Sequence, residues 1–142
     1  GTKVAYNNWD NYGPIDITVV NADGTGLINL TNTPSINEQD PAWSPDGARI
    51  AYGMGDAIWT MNADGSQQAA LTSPASSKHH FGPAWSPDGT KVAYNDANVS
   101  SDIAVVNTDG TGTVLLTNTP SLDEHNPSWS PDGRRATWHR RY

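Results

Sequence analysis

Cysteine is absent from the 142 residues. Disulfides and thiol nucleophiles are therefore excluded, while the compartment stays open. Basic residues are scarce: 8 Lys and Arg stand against 15 Asp and Glu, a net charge of -7. A nucleic-acid binder usually shows a basic face, so no nucleic-acid partner is expected. No apolar run approaches the ~20 residues of a membrane span, and no membrane insertion is expected. A secretory leader is also missing, and the chain opens on Gly1 rather than methionine. That is expected of a chain that has been processed, cut from something longer, or left with a cloning scar. There is no Gly-x-Ser-x-Gly elbow, and each serine sits in a turn or loop that explains it. No catalytic constellation assembles, so neither an activity of its own nor a cofactor is expected. No apolar stripe of helical period has useful length.

What the chain has instead is repetition. PAWSPDG begins at Pro41, returns unchanged at Pro83, and comes back as PSWSPDG at Pro127. The units run 1–46, 47–88 and 89–132, with 133–142 opening a fourth. GTKVAY (1–6), GARIAY (47–52), GTKVAY (89–94) and GRRATW (133–138) align, and their apolar residues alternate. Period two predicts a strand. DITVVNADG (16–24), AIWTMNADG (57–65) and DIAVVNTDG (102–110) predict a second strand, each ending at a turn. LINLT (27–31), QAALT (68–72) and TVLLT (113–117) predict a third. PAWSP predicts a fourth, with a proline confined to its start or to an edge. In Ser44-Pro45-Asp46-Gly47, proline presets the second turn position and glycine suits the fourth. The NADG turns lack the acidic twelfth ligand of a calcium loop, and a simple hairpin turn is expected there.

Four short strands at a period of about 44 residues predict β-propeller blades, an all-β fold. The repeated PAWSPDG…KVAY…NADG…LT pattern resembles the TolB-like propeller repeat over nearly the whole chain. By that resemblance PAWSP is the innermost strand of each blade, and Trp43, Trp85 and Trp129 pack between neighbouring blades. The resemblance also implies rings that commonly hold six blades, and an extracellular or periplasmic location.

Three blades fall short of the four to eight of a closed ring. The first and third units resemble the second, so neither is a polar cap. The expected solution is strand exchange between copies, as a homo-oligomer. Pro127, Ser128, Trp129, Ser130 and Pro131 supply an inner strand to the first blade of another copy. Gly1, Thr2, Lys3, Val4, Ala5 and Tyr6 form the second strand of that blade. Residues 133–138 duplicate it, and which of the two is used stays open. Arg134, Arg135, Arg140 and Arg141 give the last nine residues +4, against -11 for all that precedes them. An acidic body then attracts a basic tail, unless the tail is a solvated end. A two-fold dimer closes such an exchange, whereas an exchange that fails to close gives a filament. The alternative is a piece of a longer Tol-type or hydrolase-associated propeller.

Ligand chemistry is sparser. Three residues before the repeated prolines stand Glu38, His80 and Glu124, and two before stand Gln39, Phe81 and His125. In a ring these positions line one channel mouth. Glu, His and Glu suit a divalent metal, against the reading of solvated polar loops. Trp9 and Tyr12, in the NNWDNYGP loop, are the exposed aromatics best placed to stack on glycans. Trp59 and Phe81 are further stacking candidates, while Tyr6 and Tyr94 are expected to pack blades. Asn29 and Asn98 head glycosylation sequons; Asn29 falls in a predicted strand, so Asn98, in a loop, is the expected acceptor of the two. Other proteins are the remaining class of partner.

Overall fold

Thirteen strands succeed one another, with no helix among the described residues. The computed structural model describes residues 1–9, 13–74 and 76–141. The first sheet holds β1 (Lys3–Asn8), β2 (Asp16–Asn21) and β3 (Ile28–Asn29). The second holds β4 (Glu38–Trp43), β5 (Arg49–Met54), β6 (Ala57–Asn62) and β7 (Ala69–Ala70). The third holds β8 (His79–Trp85), β9 (Lys91–Ala97), β10 (Ser101–Asn107) and β11 (Val114–Leu115). Last come β12 (Asp123–Trp129) and β13 (Ala136–Arg141), paired with each other. All pairings are antiparallel between consecutive strands. The chain thus contains two complete four-stranded blades flanked by two incomplete ones. It is a portion of a propeller that does not close by itself.

The inner strand β4 begins three residues before its proline, and β8 and β12 begin four residues before theirs. Pro41, Pro83 and Pro127 therefore lie inside their strands rather than at the start, though β4 and β8 are indeed edge strands. The reason is a bulge. Pairing breaks between Gln39 and Ala42, between Phe81 and Ala84, and between His125 and Ser128. The residue before each proline takes a left-handed conformation: Asp40 (φ 54), Gly82 (φ 60) and Asn126 (φ 56). Aspartate, glycine and asparagine are the types that tolerate it. The missing N–H of proline then costs no ladder bond. The outermost strands are shorter than the LINLT-type segments suggest, with two residues each.

The repeated turns are closed by side chains. Ser44 Oγ donates to Asp46 Oδ1 at 2.6 Å and accepts from the Arg49 amide at 2.9 Å. Ser86 with Asp88, and Ser130 with Asp132, repeat the arrangement. The Ser86 hydroxyl, with support from Thr90, pulls Asp88 down to about 2. In the NADG turns Asp23, Asp64 and Asp109 accept from the amide and hydroxyl of Thr25, Ser66 and Thr111. These aspartates are occupied in closing hairpins.

The core lies between blades. Ile17 and Val19 of the first sheet meet Ile50, Tyr52 and Met61 of the second, with Trp43 packed alongside. Ile58 and Leu71 of the second meet Val92, Tyr94 and Val106 of the third, with Trp85 alongside. Central strands covered on both faces are buried at consecutive positions, as at Ile50, Ala51 and Tyr52. Burial, helped by the neighbouring Glu38 and Asp96 charges, pushes Tyr52 and Tyr94 up to about 12.

Candidate functional site

Glu38, His80 and Glu124 are strand residues, not loop residues, and all three are buried. Each faces the preceding blade across one junction. Thr33 Oγ1 donates to Glu38 Oε1 at 2.7 Å. His80 Nδ1 lies 2.8 Å from Thr72 Oγ1, and its Nε2 lies 3.5 Å from Asp96 Oδ1. Lys78 Nζ holds the other oxygen of Asp96 at 2.7 Å. Glu124 Oε1 accepts from Trp138 Nε1 at 3.1 Å, and from Arg140 Nε and a terminal nitrogen at 3.1 and 2.9 Å. The structure therefore gives the three residues three separate junctions. No group of three or more His, Asp or Glu is arranged to hold a metal ion among the described residues.

The junctions differ electrostatically. Burial raises Glu38, and Asp16 pushes the same way against the Thr33 hydrogen bond. Burial lowers His80, against the attraction of Asp96. At Glu124 burial is outweighed by hydrogen bonds from Thr117, Arg140 and Trp138, which hold it below the usual carboxylate range. The threonines were legible as the repeated Leu-Thr pair but carried no functional expectation. Their role is to join: Thr31, Thr72 and Thr117 accept the amides of Ile17, Ile58 and Ile103 at 3.0, 2.9 and 2.8 Å. That places each hydroxyl at the junction with the next blade.

The inner-strand tryptophans form a second joint. Trp85 Nε1 donates to the Ala42 carbonyl at 3.0 Å, and Trp129 Nε1 donates to that of Ala84 at 3.0 Å. Each indole thus reaches the preceding inner strand, one residue before that strand's own tryptophan. Among the described residues Trp43 Nε1 is buried with no hydrogen-bond partner. At the other end a groove of about 600 Å³ opens between Val105, Val114 and Leu116 on one side and Trp129, Ala136 and Trp138 on the other. Gly1, Thr2 and Lys3 border a separate pocket with Trp43 and the Ser44–Gly47 turn. Ala5 and Tyr6 are half-buried, and Val4 is exposed. Pro131, Arg134 and Arg135 lie in the turn between β12 and β13, where the Arg135 amide donates to Ser130 Oγ.

Of the rim positions, Phe81 and His125 come together, with ring centroids 6.4 Å apart, while Gln39 is exposed. Trp9 is 73% exposed, and Tyr12 lies outside the described residues. Tyr94 is buried against His80, with centroids 4.8 Å apart. Asn98 is exposed beside a turn, whereas Asn29 is in β3 and donates to Asp16.

The family profile described as the TolB beta propeller domain matches residues 1–142. No match is found among curated protein sequences. A putative TolB from Agrobacterium tumefaciens superposes with a TM-score of 0.82 at 23% identity, over 97% of this chain and 50% of that one. A chain of a nidogen/laminin complex gives 0.75 at 16% identity, over 96% of this chain and 52% of that one. An oligogalacturonate lyase from Vibrio parahaemolyticus gives 0.73 at 12% identity, over 92% and 40%. At these identities the likeness is one of fold alone. The chain spans half the length of the Agrobacterium protein.

Proposed function

This chain belongs to the TolB beta propeller domain family, and we propose that it acts as a non-catalytic, extracellular or periplasmic interaction module that associates with copies of itself. The observation that carries the reading is the unequal state of the blades. Among the described residues two are complete, while the first sheet lacks an inner strand and the last lacks its outer strands. A three-stranded and a two-stranded sheet are complementary parts of one blade, and strand exchange joins them. The likeness to a chain from a nidogen/laminin complex supports a protein-interaction role. The buried Glu38, His80 and Glu124 support a structural rather than catalytic use of the rim.

The test is absolute mass by light scattering on the 142-residue chain of 15.2 kDa. Twice that mass is expected, and deletion of residues 127–142 abolishes the association. A monomer at all concentrations refutes the reading and leaves the open faces to further blades of a longer chain. A large polydisperse mass means exchange without closure.

A second reading, a glycan site at the rim, draws support from the half-exposed Phe81–His125 pair and from the exposed Trp9. Aromatic and imidazole faces suit stacking on sugar rings. Titration with acidic and neutral oligosaccharides, followed by Trp9 and Phe81 substitutions, decides it. The absence of any saturable binding sinks it.

A further inference from the structure

We infer that a second copy of this chain docks its β12–β13 hairpin onto the first sheet, with β13 displacing β1 from beside β2. The inference rests on the association proposed above and names its joint.

The orphaned indole comes first. Trp85 and Trp129 reach the carbonyls of Ala42 and Ala84 on the preceding inner strands. Trp43 is half-buried, and its Nε1 atom is buried and unpaired among the described residues. A buried donor without an acceptor costs about 1–3 kcal/mol. The acceptor the series calls for is the carbonyl one residue before an inner-strand tryptophan. In a second copy the Ser128 carbonyl of β12 holds that position, since Ala42 and Ala84 already serve Trp85 and Trp129.

The groove beside β13 is the same joint seen from the other copy. At the complete junctions a third-strand residue fills the equivalent space: Met61 packs on Ile17 and Val19, and Val106 packs on Ile58 and Leu71. The last blade has no third strand among the described residues, and Leu116 beside it is exposed. On β2, Val20 occupies the position of Met61 and Val106. It faces the groove once β2 lies beside β13.

Charge selects between the duplicated strands. Trp138 and Arg140, both on β13, hold the buried Glu124 carboxylate. At those places β1 offers Tyr6 and Asn8, which carry no charge. Pairing β12 with β1 would strip a buried carboxylate of its cation, which is strongly destabilising. β1 pairs with β2 from Lys3 to Asn8 and packs Ala5 on the core, and β13 takes over both roles when it replaces β1. The register of β1 on β2 sets Asn8 opposite Asp16. In that register β13 sets Arg140 opposite Asp16, which is electrostatically favourable between copies. Each copy gives one hairpin and accepts one, so two copies close a ring.

The absence of cysteine makes the joint directly readable. Chains carrying Ala136→Cys are mixed with chains carrying Val20→Cys and oxidised. The two positions face each other if β13 replaces β1, within disulfide reach across antiparallel strands. A second mixture, Ser128→Cys with Ala5→Cys, reports β12 paired with β1. A disulfide-linked heterodimer in the first mixture alone is the expected result. Cross-linking in the second mixture overturns the strand assignment. Association by light scattering without either cross-link overturns the joint and leaves the association reading standing, whereas a monomer overturns both. Independently, Trp43→Phe is expected to weaken association by about 25-fold, about fivefold for the one hydrogen bond lost at each of the two joints, while Trp9→Phe leaves it unchanged. Equal affinities of the two variants contradict the Ser128 acceptor.

Discussion

Leu71 and Leu116 occupy the same position in successive blades, yet they are 8% and 44% exposed. Ile50 and Val92 are fully buried where Val4, their counterpart at the start of the chain, is 51% exposed. The residue types are alike; what differs is whether strands of a neighbouring blade cover that face. Blade stability here belongs to the junction rather than to the sheet, as in other arrays whose repeats bury their faces on one another.

Truncating the two leucines tests this most severely. Leu71→Ala should cost about 2–5 kcal/mol, the range for a buried leucine, and Leu116→Ala about 0.5 kcal/mol in dilute monomer, as for a surface site. Denaturant midpoints of the two variants check it, and equal losses break the comparison. If copies associate, the Leu116→Ala cost grows with protein concentration while the Leu71→Ala cost does not. The indoles come next. Trp85→Phe leaves the Ala42 carbonyl without its donor and should cost about 1–3 kcal/mol. Trp43→Phe in dilute chain should cost less, because no bond is lost. Thermal unfolding of the pair at low concentration separates them.

Ser86→Ala should be milder, about 1 kcal/mol for the turn hydrogen bonds it removes. Ser130→Ala, in the exposed last turn, should cost less still. The smallest expected effect is a slope with pH. The folded pKa of His80 is lowered, so the unfolded chain binds a proton first as pH falls. Its contribution is complete above the unfolded value of about 6.5 and is lost as pH drops through the folded value. Asp96, Lys78, His79 and Tyr94 are the groups that surround it. Melting temperatures from pH 7.5 to 5 should fall in the parent chain and fall less in His80→Gln. Parallel curves would show that His80 does not set the slope.

The second and third strands of each blade were readable because alternation and turn chemistry agree there, as in KVAY and in the NADG turns. The inner strands were read only in part. Gln39-Asp40-Pro41 looks like a loop, since a bulge with a left-handed residue breaks the alternation that marks a strand. Glu38, His80 and Glu124 stood out by spacing, but charge in a polar stretch reads as solvated. Thr33 and Thr72 close the preceding blade and bond to Glu38 and His80, while Trp138 and Arg140 of β13 hold Glu124. The packing of one blade on the next, which buries them, leaves no mark in local pattern.

The indole joint ends on main chain. Trp85 and Trp129 select a carbonyl at a fixed place, not a side chain, and every residue type supplies one. Neighbours are therefore interchangeable at this contact. A duplicated or deleted repeat meets the same acceptor, so gene-level gain and loss of whole units need no compensating substitution there. The number of units around the axis is then fixed by the angle between sheets, and the joint tolerates more than one count.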